Sequence, residues 1–474
     1  MRVRIVCTLI ENPHDTIGRA SGMSQAPRQM HLGVFVLGTG NHSAGWRYAG
    51  AATSNNDLSV IQEIARIAER GRFDLLFVAD GLVMDPGDHP SFLCRFEPTT
   101  LISVLSATTR HVGLGATVST SFGEPYHVAR TFASIDHLSH GRAAWNVVTS
   151  SAPQAALNFS RERHMDHELR YEVANEFVDV VKGLWDCWKD GAIVADTATG
   201  IYLDPARVRP LNHSGRFFQV KGPLNIARCP QGHPVIIQAG GSPAGLELAA
   251  RTADVVFSVV QELESARNAY ADLKGRLVKY GRAPDQLAVL PGVMPILGRT
   301  DAEAKDKLAL LQSWLTPTNA LTLVSGRIGY DVTGFPLDAP VPAPPPGATG
   351  SQTFHKVLFE AARRQHMTLR DLYNLTAAAR GHWVVCGTPQ RIADTLEEWF
   401  VEGAADGFNI LPPYFPGAFA DFVDLVVPEL QRRGLFRRKY EGSSLREHFG
   451  LARVPRPVAR RAAVGREYEK SVKD

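Results

Sequence analysis

The chain has 474 residues, of which 44% are hydrophobic and 21% are charged, a composition typical of a globular enzyme with a large core. Its formal net charge of +3 is too small for this length to indicate nucleic acid as a partner. The five cysteines show no metal-binding spacing, and no apolar run approaches the roughly 18 residues of a membrane span. We therefore expect a cytoplasmic protein with no metal site and no membrane segment.

Strands and helices alternate from His31 onward, which is typical of a parallel sheet. The predicted strands are 31–37, 74–80, 111–120, 143–148, 234–238, 254–257, 288–297 and 407–411, with amphipathic helices between most of them. Eight such repeats predict a TIM (β/α)8 barrel. Two stretches without this alternation predict insertions, a first insertion at about 189–230 after strand 4 and a second at about 316–381 after strand 7.

The predicted barrel covers residues 31–450 and is flanked by two different ends. Residues 1–30 contain only a short interrupted apolar patch, so we expect a disordered leader rather than a signal peptide. Residues 451–474 hold seven Lys and Arg against three Asp and Glu, which predicts a basic solvated tail or an oligomer contact. The second insertion contains five prolines between 340 and 346, and we expect it to form a lid over the site.

Polar residues follow the ends of three successive predicted strands. Asp80 ends the second strand, Thr117 lies near the end of the third, and Asn146 and Ser150 lie at the end of the fourth. Any one cluster is also typical of a plain turn, but the carboxyl ends of barrel strands share one mouth, so the repetition favours a binding site. Gly241 and Ser242, in the glycine-rich turn after the fifth strand, precede a helix and could cradle a phosphate.

Several segments also resemble a known family. They are Gly141–Ser150, Asp166–Tyr171, Gln238–Ser242, Ala405–Asn409 and Val426–Leu430. These segments are similar to those of the bacterial luciferase-like flavin monooxygenases, and most of all to the branch of nitrilotriacetate, dibenzothiophene-sulfone and long-chain alkane monooxygenases. The resemblance covers about residues 31–450, nearly the whole predicted barrel.

The resemblance implies a two-component enzyme. Its cofactor would be FMN, bound as FMNH2 and supplied by a separate NAD(P)H:FMN reductase, and its co-substrate would be O2. A flavin C4a-(hydro)peroxide would then transfer one oxygen atom to a small organic substrate. Family members are commonly homodimers or homotetramers, and we expect the same here.

The resemblance also assigns roles to single residues. Asp80, Thr117 and Asn146 match positions near the flavin ring, whereas Ser150, Tyr171, Gly241 and Ser242 match positions around the ribityl chain and phosphate. Arg170 is a candidate charge partner for the phosphate, because a guanidinium meets phosphate oxygens as a fork. His42 matches a catalytic histidine near the reactive face of the flavin. Ser151 departs from relatives that carry a second histidine there, which leaves the proton donor or base open.

Three other functions remain open at the level of sequence. A deazaflavin-dependent oxidoreductase of the same superfamily would share the fold, although the Trp-Asn-Val-Val-Thr-Ser segment argues against it. A flavin-binding protein without turnover is a second possibility, and the presence of His42 argues mildly against it. A metal hydrolase would need a His-x-His pair or clustered ligands at strand ends, and the sequence shows none. The substrate itself cannot be read from the sequence, because the loops that would form its pocket vary freely on a fixed barrel.

Overall fold

The computed structural model describes residues 28–345, 358–359 and 362–455. The expected leader, except its last three residues, the tail beyond 455, and residues 346–357 and 360–361 of the second insertion lie outside these ranges. Thirteen strands are described: β1 His31–Val36, β2 Leu75–Val78, β3 Gly113–Ser119, β4 Ala143–Val148, β5 Ile193–Asp196, β6 Ile201–Leu203, β7 His213–Ser214, β8 Gln219–Val220, β9 Val235–Gln238, β10 Val255–Ser258, β11 Ala288–Leu297, β12 Trp383–Gly387 and β13 Gly407–Ile410.

Eight of these strands close into a parallel barrel. The hydrogen-bonded order runs β1, β2, β3, β4, β9, β10, β11 and β13, and β13 pairs again with β1. The predicted TIM barrel is therefore confirmed. The chain positions the strands so that all eight carboxyl ends lie at one end of the barrel.

Helices surround this barrel. Their bounds are α1 Leu58–Arg70, α2 Pro90–Leu93, α3 Pro98–Thr108, α4 Pro125–Leu138, α5 His167–Trp185, α6 Pro243–Thr252, α7 Leu263–Arg276, α8 Asp301–Ser313, α9 Pro317–Ile328, α10 Leu369–Ala379, α11 Pro389–Val401, α12 Gly417–Asp421, α13 Val427–Arg432 and α14 Leu445–His448. A large core of buried apolar side chains fills the layer between strands and helices. None of the helices in the described ranges is long and apolar enough to cross a membrane.

The two insertions lie outside the barrel ring. In the first, β5 pairs with β6 and β7 with β8, each as a small antiparallel hairpin. The second contains α9 and α10, which pack on each other through their own apolar cluster. It is followed by β12, a strand that the sequence analysis did not predict. Within the described residues, β12 pairs with the second half of the ten-residue β11 and is not part of the eight-stranded ring.

The amino end of the barrel is closed by residues near the C-terminus of the described chain. Leu445, Phe449 and Leu451 are buried together with the inward side chains of β2, β9, β10 and β11. Tyr440 donates a hydrogen bond to the carbonyl of Phe73 at 2.8 Å. We call this closing segment, residues 437–451, the plug. It lies opposite the strand ends that carry the predicted site.

Asp74, just before β2, links the barrel to this plug. Its side chain is fully buried, accepts the N–H of Leu32 at 2.8 Å, and pairs with Arg437 and with His31. Burial raises the pKa of the Asp74 carboxyl, but the charges of Arg437 and His31 outweigh burial, and the pKa lies below its ordinary value. The carboxylate is therefore ionised in the folded protein.

We expect Asp74→Asn to lower the free energy of unfolding by about 3 kcal/mol at pH 7, because Arg437 would be left largely buried without its partner. Because the pKa of the Asp74 carboxyl is lower in the folded than in the unfolded protein, its ionisation stabilises the fold at pH values above the unfolded pKa of about 4. This stabilisation is lost as the pH falls through the folded pKa. The difference between wild type and variant should therefore shrink in acid.

Urea unfolding of wild type and Asp74→Asn at pH 7 and near pH 3.5 measures the difference between their free energies of unfolding. Asp424→Asn is the control, since Asp424 pairs with Arg70 at an exposed site, and it should change the free energy by less than about 1 kcal/mol. Equal losses for the two variants at pH 7 would contradict the assignment.

Candidate functional site

Side chains inside the barrel change from apolar to polar toward the carboxyl ends of the strands. Leu75 and Phe77 of β2, Val235 of β9, and Val255 and Phe257 of β10 belong to one buried apolar cluster inside the barrel. Toward the carboxyl ends of β3 and β4, the inward positions are Thr117 and Asn146, which lie opposite each other in register. The barrel is therefore filled at its base and offers hydrogen-bonding groups at its mouth.

Thr117 and Asn146 form one pair. Asn146 Nδ2 donates to Thr117 Oγ1 at 2.8 Å, and Thr117 Oγ1 donates to the carbonyl of Val78 at 3.0 Å. Both side chains are at least 96% buried. The Oδ1 atom of Asn146 is buried and has no partner among the described residues, although buried acceptors are rarely left unpaired. This oxygen is available to a donor of a bound molecule.

The turn between β9 and α6 forms the predicted cradle. Ser242 is the N-cap of α6, where its Oγ accepts the N–H of Gly245 at 3.2 Å and donates to Tyr171 Oη at 3.4 Å. Gly241 is exposed on the same turn. A methyl group at Gly245 would lie 3.0 Å from backbone atoms of Gly240, so glycine lets the helix approach the turn closely. The arrangement suits a phosphate at a helix N-terminus, next to a tyrosine hydroxyl.

Ser150 lies two residues after the end of β4. Its backbone is left-handed, with φ of 46°, and its hydroxyl donates to Ser119 Oγ at 2.8 Å. Its carbonyl accepts hydrogen bonds from both Arg170 Nη1 and His164 Nε2. Two donors on one carbonyl hold a conformation that a serine seldom adopts alone. The Nε atom of Arg170 is buried and has no partner within the described ranges.

His42 lies in the loop after β1 and is 1% exposed. Its Nδ1 accepts the N–H of Ala44 at 3.0 Å, so the ring proton of the neutral imidazole is on Nε2. That Nε2 atom is buried without a partner among the described residues. Burial lowers the pKa of His42 to about 3. The residue can therefore donate a hydrogen bond at neutral pH but carries no charge.

Asp80, at the end of β2, is held by Arg95. Arg95 Nε lies 3.3 Å from Asp80 Oδ1, and Arg95 Nη2 donates to the carbonyl of Gly81 at 2.9 Å. Burial raises the pKa of the Asp80 carboxyl, and Arg95 opposes that shift. The carboxylate thus lies at the mouth as half of an ion pair.

The structure adds residues that sequence reasoning missed. Arg380, at the C-terminal end of α10, is 4% exposed and donates to Asn41 Oδ1 at 3.0 Å. Asn409 on β13 is buried between Gly33 and Gly292 in register, and its Oδ1 has no partner in the described chain. An amide inside an otherwise apolar strand was a usable signal for Asn409. Nothing in the sequence around Arg380 or His164 marked either residue.

The described residues contain no group of three or more His, Cys, Asp or Glu side chains that could hold a metal ion. The polar groups at the mouth are instead amides, hydroxyls, one neutral imidazole and the Asp80–Arg95 ion pair. The profile of the luciferase-like monooxygenases matches residues 30–407. The chain belongs to this family. It is thus a monooxygenase, and the family expected from the sequence is confirmed.

Three known proteins illustrate the relationship. N-acetyl-S-(2-succino)cysteine monooxygenase of Bacillus subtilis (strain 168) is 47% identical over 93% of this chain and 100% of its own length. Nitrilotriacetate monooxygenase component A of Aminobacter aminovorans is 46% identical over 92% of this chain and 99% of its own. A crystal structure of riboflavin lyase with modified FMN and riboflavin superposes with a TM-score of 0.80 at 29% identity, covering 89% of this chain and 96% of that one.

We expect His42 of this monooxygenase not to titrate between pH 5 and 8. Because the unfolded imidazole binds a proton near pH 6.5 and the folded one does not, His42 should lower the stability by about 1.4 kcal/mol for each pH unit below that value. An NMR pH titration of histidine-labelled protein follows the ring signal of His42. The signal is assigned by its absence from the spectrum of His42→Gln. A midpoint near 6.5 would show that the ring is solvated.

Proposed function

We propose that this chain is the oxygenase component of an FMNH2-dependent, two-component monooxygenase. A separate NAD(P)H:FMN reductase would supply the reduced flavin, and O2 and a small organic compound would be the other reactants. The observation that carries the proposal is the pair of unpartnered buried atoms, His42 Nε2 and Asn146 Oδ1, at a mouth that also holds a helix N-terminal cradle. The designation of one relative as a component A supports the two-component arrangement.

The residues at the mouth fit FMN in three places. The turn at Gly241 and Ser242, with Tyr171 beside it, would take the phosphate, and Arg170 would contribute its charge from the neighbouring α5. Ser150 would lie along the ribityl chain. The ring edge, which carries both donors and acceptors, would meet Asn146 Oδ1, Thr117 and Asp80.

Reduced FMN would supply the two electrons with which one atom of O2 enters the substrate while the other leaves as water. The chain's own residues would prepare that reaction. His42, neutral with its proton on Nε2, would donate a hydrogen bond into the space above the flavin ring. Because this imidazole is hard to protonate, it would act as a hydrogen-bond donor rather than as a charged acid.

The second insertion would exclude water from this space. Its helix α10 reaches the His42 loop, where Ser43 N donates to the carbonyl of Ala377 at 2.9 Å. Water in an oxygenase site diverts reducing equivalents into hydrogen peroxide, so closure matters for coupling. Cytoplasmic location and a homodimeric or homotetrameric state stay predictions.

Rapid mixing of the protein and anaerobic FMNH2 with O2 tests the proposal. We expect a transient that absorbs at shorter wavelength than oxidised FMN and that decays faster when a substrate is present. Small carboxylic acids are the first compounds to screen, since the relatives named for N-acetyl-S-(2-succino)cysteine and nitrilotriacetate are 47% and 46% identical to this chain. Direct reoxidation without a transient, for every compound, would favour the deazaflavin-dependent or the non-catalytic alternative.

We expect Gly245→Ala to weaken FMNH2 binding at least tenfold, because the added methyl group would push the cradle away from α6. Riboflavin, which has no phosphate, should lose little affinity, so the preference for the phosphorylated flavin should shrink. Anaerobic fluorescence titration measures both affinities.

Gly275→Ala is the matched control for this variant. Gly275 lies in α7, and a methyl group there would meet nothing within 4 Å, so flavin binding should not change. An equal loss for FMNH2 and riboflavin in Gly245→Ala would show that the turn does not hold the phosphate.

A further inference from the structure

We propose that Arg380 is a positioning residue for His42, through which the docked second insertion fixes the imidazole at the mouth of the barrel. The inference rests on the proposed function only for the chemical role of His42. The contacts that carry it are a property of the flavin-free chain.

The segment from Asn41 to Ser43 is tied to the barrel on one side. Asn41 N donates to the carbonyl of Pro412 at 3.0 Å, and His42 N donates to that of Pro413 at 3.1 Å. Both carbonyls follow β13, the strand that neighbours β1. These bonds hold the backbone of the loop, whereas the Oδ1 atom of Asn41 and the backbone N–H of Ser43 bind the second insertion.

On that second side, both sequence neighbours of His42 are bound to the end of α10. Ser43 N donates to Ala377 O at 2.9 Å, and Arg380 Nη2 donates to Asn41 Oδ1 at 3.0 Å. A hydrogen bond on each side of His42 restricts the rotation of the intervening peptide units. The direction of the imidazole therefore depends on where the last turn of α10 lies.

Arg380 makes several contacts at this position besides its hydrogen bond to Asn41. Its guanidinium lies over the ring of Phe35, with 4.6 Å to the centroid, and over that of Phe92, with 5.4 Å. Its backbone is left-handed, with φ of 54°, at a helix C-cap position where glycine is usual. An apolar side chain could pack against the same two rings without the free-energy cost of burying a charged group. The hydrogen bond that Nη2 donates to Asn41 Oδ1 explains a cationic donor at this position.

Asn41 Oδ1 accepts this hydrogen bond, and other hydrogen bonds fix the position of the Asn41 side chain. Its Nδ2 donates to the carbonyls of Phe35 and Pro412, at 3.1 and 3.2 Å, and its own carbonyl lies 3.1 Å from His89 Nε2. The amide therefore has one orientation, with Oδ1 directed at Arg380. A displacement of α10 would be transmitted through this amide to His42.

The test measures the accessibility of His42 in flavin-free protein. Arg380→Met keeps an apolar side chain against the two rings but removes the donor to Asn41. We expect the rate at which diethyl pyrocarbonate modifies His42 to rise at least tenfold, with faster hydrogen exchange in residues 39–45, both measured by mass spectrometry. Arg380→Lys keeps a donor and should restore most of the protection. Arg380→Gln, a shorter polar residue, serves as a second loss variant if Arg380→Met does not fold.

Two controls separate positioning from general loosening. Arg370→Met removes an exposed ion pair with Asp338 from the same helix, and it should leave His42 protected. His448, buried at the opposite end of the barrel, should stay unmodified in all variants. Protection of His42 equal to wild type in the loss variants would overturn the inference, as would simultaneous modification of His42 and His448.

A second readout concerns the reaction itself. With FMNH2 and O2, Arg380→Met should form less product and more hydrogen peroxide per NADH consumed, with FMNH2 affinity unchanged, and Arg380→Lys should recover part of the coupling. Lost affinity with unchanged coupling would assign Arg380 to flavin binding and overturn the inference. If His42 becomes accessible as expected but no variant, including wild type, reacts with O2 through a transient, the positioning holds and the proposed function fails.

Discussion

Three aspartates at the amino ends of barrel strands hold most of the ring together. Asp74, Asp254 and Asp406 precede β2, β10 and β13. Each aspartate makes two hydrogen bonds to one neighbouring strand: its N–H donates to a carbonyl of that strand, and its carboxylate accepts an N–H from it. The aspartate's own carbonyl accepts an N–H from the strand on the other side. The three residues thereby bridge six of the eight gaps between adjacent strands.

A cation accompanies each of these carboxylates. Asp74 pairs with Arg437, Asp254 with Arg446 through two bonds of 2.9 and 3.0 Å, and Asp406 with Lys274 at 2.8 Å. Two of the three cations come from the segment that closes the amino end of the barrel. A buried carboxylate of this kind needs both a charge partner and several donors to be tolerated. The plug and the barrel therefore depend on each other, and the rigid end of the molecule lies opposite the mouth.

Much of this organisation could be predicted from the sequence, for physical reasons that differ between parts. The eight strands were predictable because buried parallel strands are short apolar runs, as in Leu75–Val78 and Val235–Gln238. Thr117 and Asn146 were predictable because strand tips converge in a barrel. β12 was missed because it repeats no barrel unit, and Arg380 because its partner Asn41 is 339 residues away. A long-range contact made by a single side chain produces no periodic pattern in the sequence.

The site thus has two parts with different constraints. The proposed flavin contacts come from the ends of β2, β3 and β4, from α5 and from the turn before α6, which belong to the barrel and not to the insertions. His42 is different, because its neighbours are bonded to α10 in the second insertion. A change of substrate pocket within that insertion is therefore compatible with oxygen chemistry only if the last turn of α10 stays in place. The hydrogen bond of Arg380 to Asn41 sets this limit, since it joins the second insertion to the loop after β1.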